Sequence, residues 1–332
     1  MSNFKLISQK LPKLIVILGP TASGKTELAI KLAKKLAPYR ARSGAGFNGV
    51  EIVSADSRQV YKEMDIGTAK PLEKERKKIS HHLIDVVNPN EDFNVAIYKK
   101  MAVEAIKDIQ KRKKIPFLVG GTGLYIQSVV DNIDFPKVPP QKKLRGELEK
   151  KTEKELFKIY KKLDPKGAKL IDRKNKRRLI RAIEVCRVTK ESFWKKRRKG
   201  NPLFDVLQIG LLPTLRPSHP TLPPKNGNFS PEYIEKIKKR VDKMFKQGLE
   251  KEVKNLVKKY GWNLPVMQTI GYQEWKKYFE GKVSKKVVKE KIKLHTIQFA
   301  KRQMTWFKRN KRIHWVKNYK GAEKLVREFI QN

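Results

Sequence analysis

The sequence has little cysteine and no long apolar run. Its 332 residues include one cysteine, Cys186. A single cysteine excludes a disulfide framework, fits a reducing compartment, and is expected to be a small core residue. No apolar stretch reaches the roughly 20 residues of a transmembrane helix, and the N-terminus lacks the apolar segment of a signal peptide. We therefore expect a cytoplasmic protein with no membrane partner.

Acidic residues are also too few to balance the basic ones. Lysine and arginine total 78 against 33 aspartates and glutamates, a formal net charge of +45. A lysine-rich surface of the thermophile kind is one explanation, but that enrichment raises lysine and glutamate together. Because glutamate does not keep pace here, the excess favours a phosphate-rich polyanion as partner, with nucleic acid first.

The most specific motif is a glycine-bounded loop between an apolar strand and an apolar-periodic helix. The loop reads Gly19-Pro20-Thr21-Ala22-Ser23-Gly24-Lys25-Thr26. This is the P-loop pattern, in which backbone N–H groups and a helix N-terminus hold a di- or triphosphate. We expect Lys25 to neutralise phosphate charge and the Thr26 hydroxyl to bind Mg²⁺. The motif leaves open whether the phosphate belongs to a nucleotide.

Short apolar strands alternate with helices through much of the chain. Strands are predicted at Leu14–Leu18, Val50–Val53, Leu83–Val87, Pro116–Val119 and Phe204–Leu212, and a helix from about Asn94 to Lys111. This alternation predicts an α/β fold, a P-loop NTPase-like parallel sheet flanked by helices.

A basic, helical stretch bounded by prolines interrupts the alternation. We expect a mainly helical insertion domain at 134–202, inside a core made of 1–133 and of 203–332, which ends in a helical C-terminal region. Two further stretches, Pro38–Gly49 and Pro213–Ser230, are predicted to be inserted loops.

Ligands of parallel sheets bind at the carboxyl ends of the strands. Three loops, Gly19–Thr26, Ser54–Gln59 and Gly120–Gly123, are therefore expected to meet at one cleft. Asp56 is the strand-end carboxylate near the P-loop, and the strand before Gly120 lacks the acid typical of P-loop ATPases. This pattern favours a transferase in which Asp56 is the general base for an incoming nucleophile. The alternatives are a helix cap or an indirect Mg²⁺ ligand for Asp56, and a helix cap for Thr122.

Taken together, the motifs resemble those of bacterial tRNA dimethylallyltransferases, over nearly the whole chain and in the same order. Besides the P-loop, the resemblance is carried by Asp56–Tyr61, Met64–Pro71, His81–Asp85, Gly120–Tyr125, Arg178–Val185, Arg240–Met244, Gln268–Tyr272 and Lys301–Phe307. It implies transfer of a five-carbon prenyl group from dimethylallyl diphosphate to N6 of an adenosine beside the tRNA anticodon, at position 37 in tRNA numbering. The P-loop would then hold the donor diphosphate, with Mg²⁺ as cofactor.

The resemblance also implies roles for individual residues. Asp56 would accept the N6 proton, Lys25 would stabilise the leaving diphosphate, and Thr122 would lie at the same site. The residues expected to contact the tRNA anticodon stem-loop are Asp56, Ser57, Arg58, Gln59, Thr122, Arg145, Arg177, Arg178, Arg181, Gln268, Gly271, Tyr272, Gln273, Lys301, Arg302, Gln303, Trp306 and Lys308. Tyr272 and Trp306 are predicted either to stack on bases or to pack in the core. The family expectation is a monomer.

Three other functions remain open at this stage. One is a P-loop kinase or NTPase that acts on a small molecule. Another is an enzyme that prenylates free adenine nucleotides, which would not need so large a basic surface. The third is a non-catalytic RNA-binding protein with a vestigial P-loop, disfavoured because Lys25, Thr26 and Asp56 are all present.

Overall fold

The computed structural model describes residues 11–36, 47–196, 198–212 and 229–331. Within these ranges, six parallel strands form one sheet in the order β3-β2-β4-β1-β5-β6. Their bounds are β1 Lys13–Leu18, β2 Val50–Ser54, β3 His81–His82, β4 Ile115–Gly120, β5 Asp205–Leu211 and β6 Ile313–Val316. The predicted loops at 38–49 and 213–230 fall mostly outside the described residues.

The α-helices of the described ranges follow the strands in alternation and then dominate the last third of the chain. They are α1 Lys25–Leu36, α2 Glu73–Arg76, α3 Val95–Lys111, α4 Gly123–Val130, α5 Lys142–Glu149, α6 Glu153–Leu163, α7 Lys176–Thr189, α8 Phe193–Lys196, α9 Pro231–Lys246, α10 Leu249–Tyr260, α11 Lys276–Phe279, α12 Lys285–Phe307 and α13 Tyr319–Gln331. Of these helices, none has the length and apolarity that a membrane crossing requires. The chain divides into two compact units, one of residues 1–129 with 203–332, the other of 130–202.

The sheet of the first unit is covered on both faces. Side chains alternate along a strand, so Ile15 and Ile17 of β1 face one side, where they pack in a cluster with α1 and α13. Leu14 and Val16 face the other side and are fully buried as well. Burial on both faces explains why the strands read as continuous apolar runs, and the predicted α/β fold with a parallel sheet is confirmed.

The predicted strand at Leu83–Val87 is wrong. The structure places β3 at His81–His82, and Leu83 and Asp85 then adopt left-handed backbone conformations, with φ of 61° and 58°. Such residues cannot continue a pleated strand. Leu83, Ile84 and Val87 are buried although Val86 is exposed, and this apolar run resembled a strand without being one.

The last strand and helix of the first unit, β6 and α13, were not predicted. β6 pairs in parallel with β5, and α13 buries Ala322, Val326 and Ile330 against the sheet. The i, i+4, i+8 spacing of these three side chains is the sequence signal that identifies the helix.

The second unit is helical and has its own apolar core. Leu148, Leu156 and Tyr160 pack there against Leu179 and Ile183 of α7. Cys186 lies in the same cluster with 5% of its surface exposed, as a core residue. The second unit, residues 130–202, is therefore a separately packed helical body; the insertion domain predicted from the sequence was 134–202.

A buried carboxylate joins three segments of this unit. Glu184 is inaccessible to solvent and accepts hydrogen bonds from Arg145 Nε and Nη2 (both 2.7 Å), Arg181 Nη1 (2.5 Å) and the backbone N–H of Gln141 (2.7 Å). Burial raises the pKa of Glu184, but the bonds from Arg145, Gln141 and Arg181 outweigh it and hold the pKa at about 2. The carboxylate therefore stays charged and fully hydrogen-bonded.

We predict that Glu184→Ala destabilises the second unit by about 3–5 kcal/mol, because it leaves two guanidinium groups without their buried partner. Hydrogen exchange followed by mass spectrometry should show peptides of α6 and α7 exchanging about a hundredfold faster or more. In the wild type this stabilisation is present above the unfolded-state pKa of about 4.3 and is lost as pH falls towards 2. The exposed Glu149→Ala is the matched control, and equal exchange in both variants would contradict the assignment.

Candidate functional site

A cleft of about 710 Å³ opens in the first unit. Its walls come from the loops that follow β1, β2 and β4, with α9 and α12 contributing from the C-terminal helices. Because parallel strands end at the same edge of a sheet, these three loops meet there, as expected. The cleft therefore brings together the P-loop, the Asp56 loop and the Thr122 loop.

The P-loop has the conformation of an anion site. Gly24 and Ala22 adopt left-handed conformations with φ of 90° and 60°, and α1 begins at Lys25 directly after the turn. A left-handed non-glycine residue costs of order 1–3 kcal/mol and persists only where its surroundings hold it. The buried Ser23 hydroxyl has no hydrogen-bond partner among the described residues. An unpaired buried hydroxyl beside a helix N-terminus is what a bound phosphate would satisfy.

Glycine is required at the start of this loop. A Cβ added to Gly19 would lie 2.8 Å from Ser23 Oγ and 3.0 Å from the carbonyl oxygen of Leu211 in β5. The loop thus turns back closely over the neighbouring strand end.

Lys25 is a cation in an environment that disfavours its charge. Burial lowers the pKa of Lys25, nearby Arg240 lowers it further, and Asp56 raises it only in part, so that the pKa is about 8. Among the described residues its ammonium has one contact at hydrogen-bonding distance, 3.4 Å to the Pro20 carbonyl oxygen. An anion bound in the loop would stabilise the ammonium of Lys25 and raise its pKa again.

Arg240, on α9, is a cleft residue that the sequence analysis did not assign. Burial lowers its pKa, and the charge of Asp56 partly opposes that effect. It has no hydrogen-bond partner in the described parts of the chain. Two cations, Lys25 and Arg240, thus face one carboxylate, and this imbalance favours a multiply charged anion. Arg240 belongs to the motif Arg240–Met244 that the sequence analysis recognised, but the spacing of that motif does not show which face of the helix meets the cleft.

Asp56 uses one of its two oxygens for structure. Oδ1 accepts the backbone N–H groups of Arg58 (2.8 Å) and Gln59 (3.4 Å), so the side chain caps the turn after β2. Oδ2 has no partner among the residues that the structure describes, and the side chain lines the cleft. Asp56 thus caps a turn and not a helix, since no helix lies between β2 and α2 in the described residues, and its other oxygen is left available to accept a proton.

Thr122 connects the loop after β4 to the loop after β2. Its backbone N–H donates to the Ala55 carbonyl (3.1 Å), and its hydroxyl oxygen accepts the Ser57 N–H (3.0 Å). The side chain therefore holds the neighbouring loop beside Asp56 and does not cap its own helix, α4. Thr122 also lines the cleft.

The segment 64–71 forms another wall and is held by side chains from outside it. The carboxylate of Glu252 accepts three successive backbone N–H groups, those of Asp65 (3.0 Å), Ile66 (2.7 Å) and Gly67 (3.0 Å). Gln59 Nε2 lies 3.4 Å and 3.3 Å from the carbonyl oxygens of Thr68 and Ala69. The wall is thus positioned by hydrogen bonds to its backbone.

The predicted residues of the C-terminal helices separate into cleft and core positions. Gln268, Gly271, Arg302 and Gln303 line the cleft. Tyr272 is fully buried and donates its hydroxyl to Glu252 (2.7 Å), so the core alternative describes it. The other four predicted residues are not in the lining of the cleft: Gln273 and Lys308 are half-buried, Lys301 is exposed, and the half-buried Trp306 lies against Gly123.

The four predicted arginines of the second unit have two kinds of surroundings. Arg145 and Arg181 pair with the buried Glu184. Arg177 is exposed and Arg178 is half-buried, both in the first turn of α7. Among the described residues neither guanidinium forms an ion pair. Arg177 is the more accessible of the two to an anionic partner.

Phe299 is a further cleft residue that the sequence did not single out. It belongs to the apolar side of α12, yet 37% of its surface is exposed, and Arg302 Cζ lies 5.9 Å from its ring centroid. An aromatic ring beside a guanidinium is a common platform for stacking a nucleobase. An apolar helical stripe does not reveal which of its members reach a cleft.

Comparison with known proteins adds family information. The IPP transferase family model matches residues 59–310, and the isopentenyl transferase model matches residues 12–88. The chain is 40% identical over 328 residues to a tRNA dimethylallyltransferase of Microcystis aeruginosa, covering 98% of this chain and 95% of that protein. It is 42% identical over 327 residues to one from Caldanaerobacter subterraneus, covering 94% and 95%.

Solved structures give a consistent picture. A tRNA delta(2)-isopentenylpyrophosphate transferase from Staphylococcus epidermidis is 37% identical, with a TM-score of 0.64 over 96% of this chain and 98% of that chain. A eukaryotic dimethylallyltransferase acting on tRNA is 25% identical, with a TM-score of 0.73 over 96% and 77%.

The pKa of Lys25 predicts how anion binding depends on pH. Because the ammonium form of Lys25 attracts the anion more strongly than the neutral amine does, the affinity for inorganic pyrophosphate should fall as the pH rises above about 8, by up to about tenfold per pH unit. Binding near that pH should also take up a proton, since the anion raises the lowered pKa. Titration calorimetry in buffers of different ionisation enthalpy measures both effects. In Lys25→Arg the residue stays protonated, so both effects should vanish; a flat wild-type profile would overturn the prediction.

Proposed function

The chain belongs to the IPP transferase family, and we propose that its cleft transfers a dimethylallyl group from dimethylallyl diphosphate to N6 of the adenosine next to the tRNA anticodon. It is a tRNA-modifying prenyltransferase with a P-loop NTPase-like fold. The finer parts of the proposal are the position of the adenosine, the identity of the donor and the residues that perform the reaction.

One observation carries the assignment of roles. The anion site of the P-loop and the free oxygen of Asp56 line the same cleft, with Thr122 holding the Asp56 loop in place. A phosphate-bearing donor and a proton-bearing acceptor thus have adjacent sites. A kinase would also need a phosphate site, but the excess positive charge of the chain favours an RNA acceptor, and the exposed ring of Phe299 in the wall offers an apolar surface for a base or a prenyl chain.

The proposed reaction is a displacement at the allylic carbon. Stacking inside an RNA loop hides N6, so the adenine must leave the stack and enter the cleft, which costs a few kcal/mol. The N6 lone pair forms the new C–N bond while the C–O bond to diphosphate breaks, and its electron pair leaves with the diphosphate. Asp56 Oδ2 accepts the N6 proton. Lys25, Arg240 and the amides of the P-loop stabilise the departing charge.

The residues present also fit Mg²⁺, provided that the donor supplies most of its ligands. The described residues contain no cluster of three or more His, Cys, Asp or Glu side chains that would hold a metal alone. Thr26 presents a hydroxyl at the cleft beside the anion site. Mg²⁺ typically binds through few protein ligands, substrate phosphates and water. When bound, it would neutralise charge on the diphosphate.

We predict that the purified protein, with Mg²⁺, dimethylallyl diphosphate and an anticodon stem-loop bearing the target adenosine, adds one dimethylallyl group per RNA. Mass spectrometry of the nucleosides measures the product and its attachment at N6. A stem-loop with guanosine at that position is the control and should stay unmodified. Brisk ATP hydrolysis with unchanged RNA would favour the NTPase alternative, and prenylation of AMP but not RNA would favour the nucleotide prenyltransferase.

We predict that Asp56→Asn lowers the single-turnover rate by about 10²-fold or more, as for loss of a general base. Asparagine keeps the Oδ1 acceptor that caps the turn, so the loop and the RNA affinity should be preserved. Asp56→Ala, which loses the cap as well, should be slower still. The exposed Asp92→Asn, outside the cleft, is the matched control. Weakened RNA binding at an unchanged chemical rate would refute the assigned role.

A further inference from the structure

Gln303 connects two of the loops that form the cleft. It lies on α12 with 7% of its surface exposed. Its Oε1 accepts the backbone N–H of Thr21 in the P-loop (2.8 Å), and its Nε2 donates to the carbonyl oxygen of Gly121 in the loop after β4 (2.9 Å). Both ends of one amide group are therefore used by backbone groups of different loops.

These contacts begin where the sheet ends. β1 and β4 are neighbouring strands, paired up to Leu18 and Gly120. Beyond that pair the ladder stops, and the separation of the two loops has to be set by other groups. Gln303 provides the next connection, since its amide both donates and accepts at a fixed spacing.

The P-loop end of this connection is held on both sides. While Gln303 accepts the N–H of Thr21, the hydroxyl of Tyr233 on α9 donates to the Thr21 carbonyl oxygen. The next residue, Ala22, is the left-handed turn residue of the loop. The orientation of the anion site thus depends on these two side chains.

The other end leads to the acceptor side. Gly121 is followed by Thr122, which binds Ala55 and Ser57 on either side of Asp56. A side chain at Gly121 would displace the amide of Gln303, because an added Cβ would lie 2.4 Å from Gln303 Nε2. A continuous series of contacts therefore runs from the anion site through Gln303 to the loop of the proposed base.

We propose that Gln303 is a positioning residue that sets the distance between the donor diphosphate and the base that accepts the N6 proton. The inference rests on the proposed function, and it assigns Gln303 to the protein's own loops, whereas the resemblance in sequence suggested a contact with tRNA. A misplacement of about 1 Å between reacting groups can cost 10²-fold in rate. Loss of the connection should therefore reduce the chemical step and leave the binding of each substrate nearly unchanged.

Gln303→Met tests this, because methionine has a similar length and neither donates nor accepts as an amide does. We expect the single-turnover rate at saturating substrates to fall by about 10²-fold, with dissociation constants for pyrophosphate and for the stem-loop within about threefold of the wild type. Gln110→Met is the matched control. Gln110 Nε2 donates to the Lys13 carbonyl (2.9 Å) in the same unit but away from the cleft, so its rate should be unchanged.

Hydrogen exchange supplies a readout that does not depend on activity. In Gln303→Met, peptides covering 19–24 and 120–125 should both exchange faster, while α3 and α13 stay protected. In Gln303→Glu the acceptor for Thr21 remains and the donor to Gly121 is lost, so only the 120–125 peptide should change.

The outcomes are distinct. If the rate loss of Gln303→Met disappears at saturating RNA, Gln303 is an RNA contact. If hydrogen exchange is faster throughout the unit, Gln303 is a structural residue only. Either result overturns the inference. Unchanged exchange in both loops overturns it as well. If the wild type does not prenylate RNA, the proposed function is rejected. If both loops nevertheless exchange faster in Gln303→Met, the connection exists and serves another reaction.

Discussion

The cleft depends on hydrogen bonds that continue where the strand ladder stops. A parallel sheet orders its strands through regular backbone pairing, but the loops beyond the carboxyl ends have no such partners. Here side chains replace the ladder: Thr122 holds the Asp56 loop, Gln303 holds the P-loop, and Glu252 holds the segment at 65–67. Each of these side chains binds backbone groups, so the positions of the loops are determined by a few polar contacts.

The charges of the cleft complement this geometry. Lys25 and Arg240 are cations whose burial disfavours their charge, and Asp56 is the carboxylate that both of them face. A bound diphosphate would stabilise the charge of both cations. Binding of the anion is therefore coupled to the protonation of Lys25. The second carboxylate oxygen of Asp56 remains available to the acceptor.

The second unit uses its charge differently. Of its predicted RNA-contacting residues, Arg145 and Arg181 hold a buried carboxylate, and Arg177 stays at the surface. A buried ion pair of this kind is costly to break and constrains the arrangement of α5 and α7. The large positive charge of the chain is therefore divided between groups that organise a helical core and groups that are accessible to a polyanion.

By itself, the sequence determined the P-loop, the parallel sheet and the carboxylate at a strand end, because each depends on local spacing and on burial of consecutive apolar residues. It did not determine the left-handed backbone at Leu83 and Asp85. Buried apolar side chains occur in strands and in turns alike, so an apolar run does not distinguish the two. Nor did the sequence place Arg240 and Gln303 in the cleft or Tyr272 in the core. Arg240 and Gln303 reach the cleft because of the faces that α9 and α12 turn towards the strand ends, and Tyr272 is buried because the segment between α10 and α11 packs against other parts of the chain. Both outcomes are set by long-range packing between segments far apart in the chain.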